Sequence, residues 1–302
     1  ERIYSTNSAF AAVTSDGSAV AWGHADNGGD WRAVQEQLSG QVRHIYSTKS
    51  AFAAVKSDGS LVTWGCEAYG GDSRTVQEQL TGNIKQIFST DHSFAAVRSD
   101  GSVVSWGDEE YGGDCTAVQE QLAEGVQWVC PAAEGAFAAL KNVGSIVTWG
   151  DMEYGGDFSV VREQLAENVQ HVYATSYAFA ALKNDGSVVT WGQAVYGGDS
   201  FAVREELVGI KRIYVTSGAF AALKSDDSLV VWGHEDCGGD CSTVQEQLAG
   251  HILHVYATNY AFAAVNSDGK VVTWGDVGCG GDCTAVQEQL GEDVQYICPA
   301  AE

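Results

Sequence analysis

The residues best equipped for chemistry fall into three groups. His251 and His254 have the spacing of two metal ligands, but no carboxylate or cysteine with supporting geometry lies near them, so no metal site is expected. His44, His171 and His254 share one position just before a β-prone run, and His24 and His234 share another, after a Trp-Gly pair. Seven Gly-Gly-Asp tripeptides end at Asp30, Asp72, Asp114, Asp157, Asp199, Asp240 and Asp282 and invite a calcium reading. The alternating Asp/Asn ligands and distal Glu of a calcium loop are missing, and Asp26 to Asp30 comes nearest. An aspartate present in every repeat, beside quite different loops, is instead expected to cap the turn that follows it. The chain contains no nucleophile elbow, no phosphate-binding Gly-Lys-Ser/Thr and no zinc-protease motif. Catalytic residues, metal and cofactor are all expected to be none, and the chain is not expected to be an enzyme.

Cysteine is more informative. Cys115 and Cys130 are 15 residues apart, as are Cys283 and Cys298, and both pairs lie in nearly identical text. Bridges within these two pairs are expected, with Cys66 left free. Two other readings stay open: a duplicated block carrying one pair twice, or thiols buried where other repeats have tyrosine. Cys237 with Cys241, and Cys279 with Cys283, flank Gly-Gly-Asp and would allow shorter bridges. The compartment, oxidising or not, follows from this choice and is left open by the sequence.

These residues sit on a repeat. Trp-Gly recurs at Trp22, Trp64, Trp106, Trp149, Trp191, Trp232 and Trp274, with spacings of 42, 42, 43, 42, 41 and 42 residues. Within one copy, Ile45 to Thr48 is a short β-prone run, Ala51 to Val55 a second strand, and Leu61 to Trp64 a third. Ser57-Asp58-Gly59 supplies a hairpin signal, because Asp-Gly accepts the positive φ of a tight turn. Alternation puts Val62 and Trp64 on one face, Leu61 and Thr63 on the other. The segment from Asp72 to Leu80 reads either as a capped helical turn or as an outer edge strand. A unit of this size cannot bury both sheet faces alone, whereas units packed in series can. The expected fold is an all-β, seven-bladed β-propeller of ~42-residue repeats, one domain over residues 1–302, with the alanine-rich second strand at the inner end of each blade.

Antiparallel alternation brings the break between strands one and two to the same end as the loop after Trp-Gly, opposite the Ser-Asp-Gly turns. Both loop sets vary between repeats. The candidate binding residues are therefore Lys49, Asp91, His92, Asp108, Glu109, Glu110, Tyr111, Tyr154, Tyr177, Tyr196 and Tyr260. The alternative is drift at exposed positions.

The order of β-run, Asp-Gly hairpin, Val-x-x-Trp-Gly and glycine-bearing loop resembles the repeat of the regulator of chromosome condensation superfamily. It is complete at Asp185 to Gly192, nearly so at Asp268 to Gly275, and runs through essentially the whole chain. Short-repeat bacterial members, including the type II β-lactamase inhibitory protein, are similar in repeat length. A WD-repeat propeller would have Asp after Trp, where this chain has Gly. It departs from the superfamily in reading Gly-Gly-Asp where Gly-Gln is common, and Ala51 or Ser93 where His is common. The resemblance implies a propeller used as a protein-binding platform, an interaction scaffold or accessory subunit, or alternatively a direct inhibitor or regulator of an enzyme.

Forty acidic against 16 basic side chains give a net charge of -24, which repels phosphate backbones, and no basic stripe is visible in the sequence. No apolar run approaches the roughly 20 residues that span a bilayer. The expected partner is a protein, with no nucleic acid and no membrane insertion. Both ends fall inside the repeat, so the chain reads as a window on a longer or processed precursor. Strand one occurs eight times, from Ile3 to Ile297, against seven Trp-Gly hairpins. Closure of the ring, with both ends meeting at one blade, is expected.

Overall fold

A computed structural model describes residues 2–81, 84–249, 251–290, 294 and 297–298. The chain divides into two compact units, Glu1–Asp157 and Phe158–Glu302. The first unit holds four three-stranded sheets. They are β1 (Arg2–Ser5), β2 (Ala9–Val13) and β3 (Ala19–Gly23); β4 (Val42–Ser47), β5 (Ala51–Lys56) and β6 (Leu61–Gly65); β7 (Ile84–Ser89), β8 (Ser93–Arg98) and β9 (Val103–Gly107); and β10 (Val126–Ala132), β11 (Ala136–Lys141) and β12 (Ile146–Gly150). The second holds three more: β13 (Val169–Ala174), β14 (Ala178–Lys183) and β15 (Val188–Gly192); β16 (Ile210–Val215), β17 (Ala219–Lys224) and β18 (Leu229–Gly233); and β19 (Ile252–Ala257), β20 (Ala261–Asn266) and β21 (Val271–Gly275). Every pairing is antiparallel and in sequence order. The chain is all-β, with seven three-stranded blades of the propeller type, one per repeat.

The alanine-rich strand is not at the inner end of a blade, as expected from taper. It is the middle strand of each sheet, hydrogen-bonded on both sides. Both of its faces are therefore covered, and Ala51, Phe52, Ala53 and Ala54 are all fully buried. Alternation gives each sheet one bulky and one small face. Phe52, Ala54, Val62 and Trp64 of the second blade pack on Ala9, Ala11, Ala19 and Ala21 of the first. Ala51, Ala53, Val55 and Leu61 on its opposite face receive Phe94, Ala96, Val104 and Trp106 of the third. The second unit repeats this, Ala219, Ala221 and Leu223 receiving Phe262, Ala264, Val272 and Trp274. Each buried Phe ring contributes about 1.5–3 kcal/mol of transfer free energy.

A second device locks each seam. The Trp64 indole Nε1 donates to the Gly28 carbonyl at 3.0 Å, and Trp106 donates to Gly70 at 3.1 Å. The first glycine of Gly-Gly-Asp is thus where one blade touches the next. Gly28 has φ +94, and a Cβ there would stand 2.6 Å from the Phe52 ring, so no other residue fits.

The segment from Asp72 to Leu80 forms no strand. It is a 3₁₀ turn, Arg74–Val76, whose first amide donates to the Asp72 carboxylate at 2.9 Å, and Leu80 then roofs the seam, fully buried. The same cap recurs at Asp30, Asp114, Asp199, Asp240 and Asp282. In the hairpins, Asp58 accepts from the Ser60 amide at 2.9 Å and the Ser60 hydroxyl at 2.7 Å. Charged Arg43, Lys85, Lys211 and Arg212 stand exposed on the strand-one edges, where they discourage edge-to-edge pairing. The eighth copy of strand one, Gln295 to Cys298, and the final Ala300 to Glu302 lie partly or wholly outside the described residues.

Candidate protein-interaction face

The two variable loops of each repeat are tied together by backbone bonds. Cys66 N donates to Ser50 O at 2.9 Å, and Asp108 N to His92 O at 3.2 Å. Thr48, closing strand one, accepts from Ala51 N at 3.0 Å and donates to Tyr69 O at 3.0 Å, which fixes the far end of the loop. The breaks then bond from blade to blade. In the first unit Asn7 N donates to Lys49 O, Lys49 N to Asp91 O and Asp91 N to Ala133 O. In the second, Ser176 N donates to Ser217 O, and Ser217 N to Asn259 O. A repeated backbone framework therefore presents side chains that differ at each step.

In the first unit those side chains converge. Lys49 Nζ lies 2.6 Å from Asp91 Oδ2 and 3.7 Å from Glu134 Oε1. Burial opposes the Lys49 charge, but the bonded Asp91 carboxylate, with Glu134 behind it, outweighs this and holds the ammonium above its usual range. His92 reaches toward Glu134 at 3.9 Å and is stacked between two tyrosines, with ring centroids 5.2 Å from Tyr69 and 4.7 Å from Tyr111. Tyr154 is part-buried, and its phenol is raised by burial first, then by Asp151, with smaller contributions from Tyr111, Glu134 and Glu153. Glu109 and Glu110 are exposed at the rim, whereas the Asp108 carboxylate is occupied locally, accepting from Glu110 N at 3.1 Å. In the second unit the Tyr196 ring lies tilted against Tyr177 at 4.3 Å and stacks on His234 at 5.0 Å, and Tyr260 is 41% exposed.

Tyr69, Glu134 and His234 belong to these clusters and were not among the candidates. Tyr69 was legible from register, since it precedes Gly-Gly as Tyr111, Tyr154 and Tyr196 do. A further group was hidden by distance along the chain: Arg2, Arg43 and Lys85 line one pocket of about 420 Å³ with His44, Tyr46 and Gln86. Burial, then Arg2 and Arg43, lower the His44 pKa. The acidic chain thus has a local basic patch that its linear sequence conceals.

The cysteines differ from expectation. Cys115 and Cys130 are separate buried thiols. Cys115 packs with Val126 and Val129, while its Sγ approaches Gln119 Oε1 at 3.5 Å. Cys130 follows Val129 on β10, so alternation turns it to the opposite face of the strand. Cys283 is also a free thiol, although Cys298 lines the same cavity. His251 and His254 go separate ways, His251 to Asp227 at 3.3 Å and His254 to the Tyr256 ring. Among the described residues no group of three or more His, Cys, Asp or Glu is arranged to hold a metal ion, and no helix is long and apolar enough to cross a membrane.

No family model matches the chain, and no characterised protein sequence does. Solved structures do. Prp20p from Saccharomyces cerevisiae is 15% identical over 92% of this chain and 84% of its own, with a TM-score of 0.45. Human WBSCR16 is 15% identical over 93% and 78%, with a TM-score of 0.44. The ectodomain of the Physcomitrella patens receptor kinase CR4 is 13% identical over 91% and 72%, also at 0.44.

Proposed function

We propose that this chain is a non-catalytic protein-interaction module, an accessory subunit that engages a basic protein surface through its loop face. The observation that carries this reading is the convergence of Lys49, Asp91, Glu134 and the Tyr69–His92–Tyr111 stack on a backbone framework that is otherwise constant. Tyrosines held rigid by stacking lose little entropy on binding and make good anchors. The exposed Glu109 and Glu110 add negative charge beside them, which favours a cationic partner.

The test is affinity capture with cross-linking mass spectrometry on three proteins: wild type, a His92→Ala/Tyr111→Ala/Glu109→Lys/Glu110→Lys variant, and an Asp58→Asn/Asp100→Asn variant of the opposite turns. The loop variant is expected to lose the partner while keeping its fold, and the turn variant to retain it. Loss of the partner only in the still-folded turn variant would place binding at the other end. Capture of one stoichiometric enzyme whose turnover stops would make the chain a direct inhibitor rather than a subunit.

A further inference from the structure

Strand one carries a one-residue bulge near its start in the second and third blades. The register shifts between Val42 and His44 in β4, and between Ile84 and Gln86 in β7, which leaves Arg43 and Lys85 as the extra residues. Strict alternation would turn Arg43 and His44 to opposite faces of the strand. A bulge re-aims the side chain, so both line one pocket of about 420 Å³, as do Lys85 and Gln86. Arg2, at the start of β1, joins them, and Tyr46 supplies an aromatic wall. All of these residues belong to the first unit.

Three cations thus meet with no acid among them. None of the described residues lining the pocket is acidic, and no described carboxylate pairs with Arg2, Arg43 or Lys85, in a chain that has 40 acidic side chains. Glu1 lies outside the described residues, and one carboxylate would leave two of the three charges unanswered. Other cations are answered within the fold. Arg32, Arg74 and Arg98 each reach an aspartate two residues away, at 2.6, 2.6 and 3.7 Å. Lys56, Lys141 and Lys183 donate to backbone carbonyls. The sixth blade has the same bulge with Lys211 and Arg212, yet Lys211 lies 2.5 Å from Asp227 and Arg212 lies over the Tyr214 ring, 5.1 Å from its centroid. In the fourth blade the bulge carries uncharged Gln127 and Trp128.

We propose that the first unit binds a compact phosphate polyanion in this pocket, held by Arg2, Arg43 and Lys85. A guanidinium fork matches a pair of phosphate oxygens, and the lysine ammonium adds a point charge. Three positive charges in one pocket favour a ligand that gathers several negative charges in a small volume, as an oligophosphate or a multiply phosphorylated head group does, over a single carboxylate. His44 reports on occupancy. The Tyr4 hydroxyl lies 3.3 Å from its Nδ1, and the Tyr46 ring lies 4.5 Å away. Burial, then Arg2 and Arg43, hold the imidazole below its usual value. A bound anion offsets the two guanidinium contributions and raises it.

Calorimetric titration of the full chain with inorganic tripolyphosphate tests this. It is run beside Arg43→Ala/Lys85→Ala and, as a control of equal charge change, Arg162→Ala/Arg204→Ala in the second unit. All four side chains are exposed, so circular dichroism should show both variants folded. Wild type is expected to bind tripolyphosphate saturably, the pocket variant to lose about tenfold or more in affinity, and the control to keep it. The His44 titration followed by NMR should move to higher pH with the ligand in wild type and stay in place in the pocket variant. Flotation with phosphatidylcholine vesicles carrying a phosphoinositide, lost in the pocket variant, would place the phosphate on a lipid. Tripolyphosphate binding without flotation would make it a free anion. No saturable binding of tripolyphosphate by wild type overturns the proposal. Undiminished binding by the pocket variant, or an equal loss in the control, overturns it as well.

Discussion

A single glycine at the seam shows what one residue decides. Gly70 has φ +90 and a Cβ position 2.6 Å from the Phe94 ring. Gly70→Ala should cost about 1–2 kcal/mol for the left-handed backbone and about 1–3 kcal/mol more for overpacking. Gly280→Ala meets no neighbour and should cost only the backbone share, about 1–2 kcal/mol. Urea midpoints compare the two, and equal losses would mean that the seam does not demand glycine there. The capping aspartates were legible in sequence because each bond reaches an amide only two residues on. The Cys115–Cys130 relationship was not, because spacing says nothing about which face of a strand a side chain takes. Burial pushes the Cys130 thiol up to about 12, so it stays protonated and resists iodoacetamide in the native state near pH 8, while part-exposed Cys66 is alkylated. Modification of Cys130 at the rate of Cys66, read by peptide mapping, would contradict its buried placement.

At the scale of the element, the hairpin turns tie stability to pH. The carboxyls of Asp58, Asp100, Asp185 and Asp226 are each lowered from 3.8, first by the hydroxyl two residues on and then by its amide. Asp30 is lowered to about 2, first by the Arg32 side chain and then by the Arg32 amide. A carboxyl with a depressed folded value stabilises the fold above its unfolded value and loses that contribution as pH falls through the folded one. The wild type should therefore hold its stability down to about pH 4 and lose it progressively toward about pH 2. Asn at the four hairpin positions should flatten that limb, as read by urea midpoints against pH; an unchanged slope would place the acid sensitivity elsewhere. Period-two alternation gave the strand faces, including Val62 with Trp64. It could not say which neighbours flank a strand, so the alanine strand was expected at a blade's inner end rather than its middle. Nor could it settle Asp72 to Leu80, where a cap and an edge strand share the same residue types.

Across the whole molecule, one variable separates folding from partner capture. That the two variable loops of each repeat share one end was legible because antiparallel topology sends both there. The cluster at that end was only partly so, since Lys49, Asp91 and Glu134 come from three successive repeats and meet only when blades stack. The net charge of -24 makes salt the discriminating condition. Folding concentrates these charges, so screening them over a Debye length of about 10 Å at 0.1 M should raise the urea midpoint. Capture of a cationic partner by Glu109 and Glu110 depends on unscreened attraction and should weaken in the same titration. If capture instead grows with salt while the His92→Ala/Tyr111→Ala change still abolishes it, the acidic rim is a bystander. The stacked tyrosines and histidine would then bind by apolar contact alone, and the partner would no longer need to be basic.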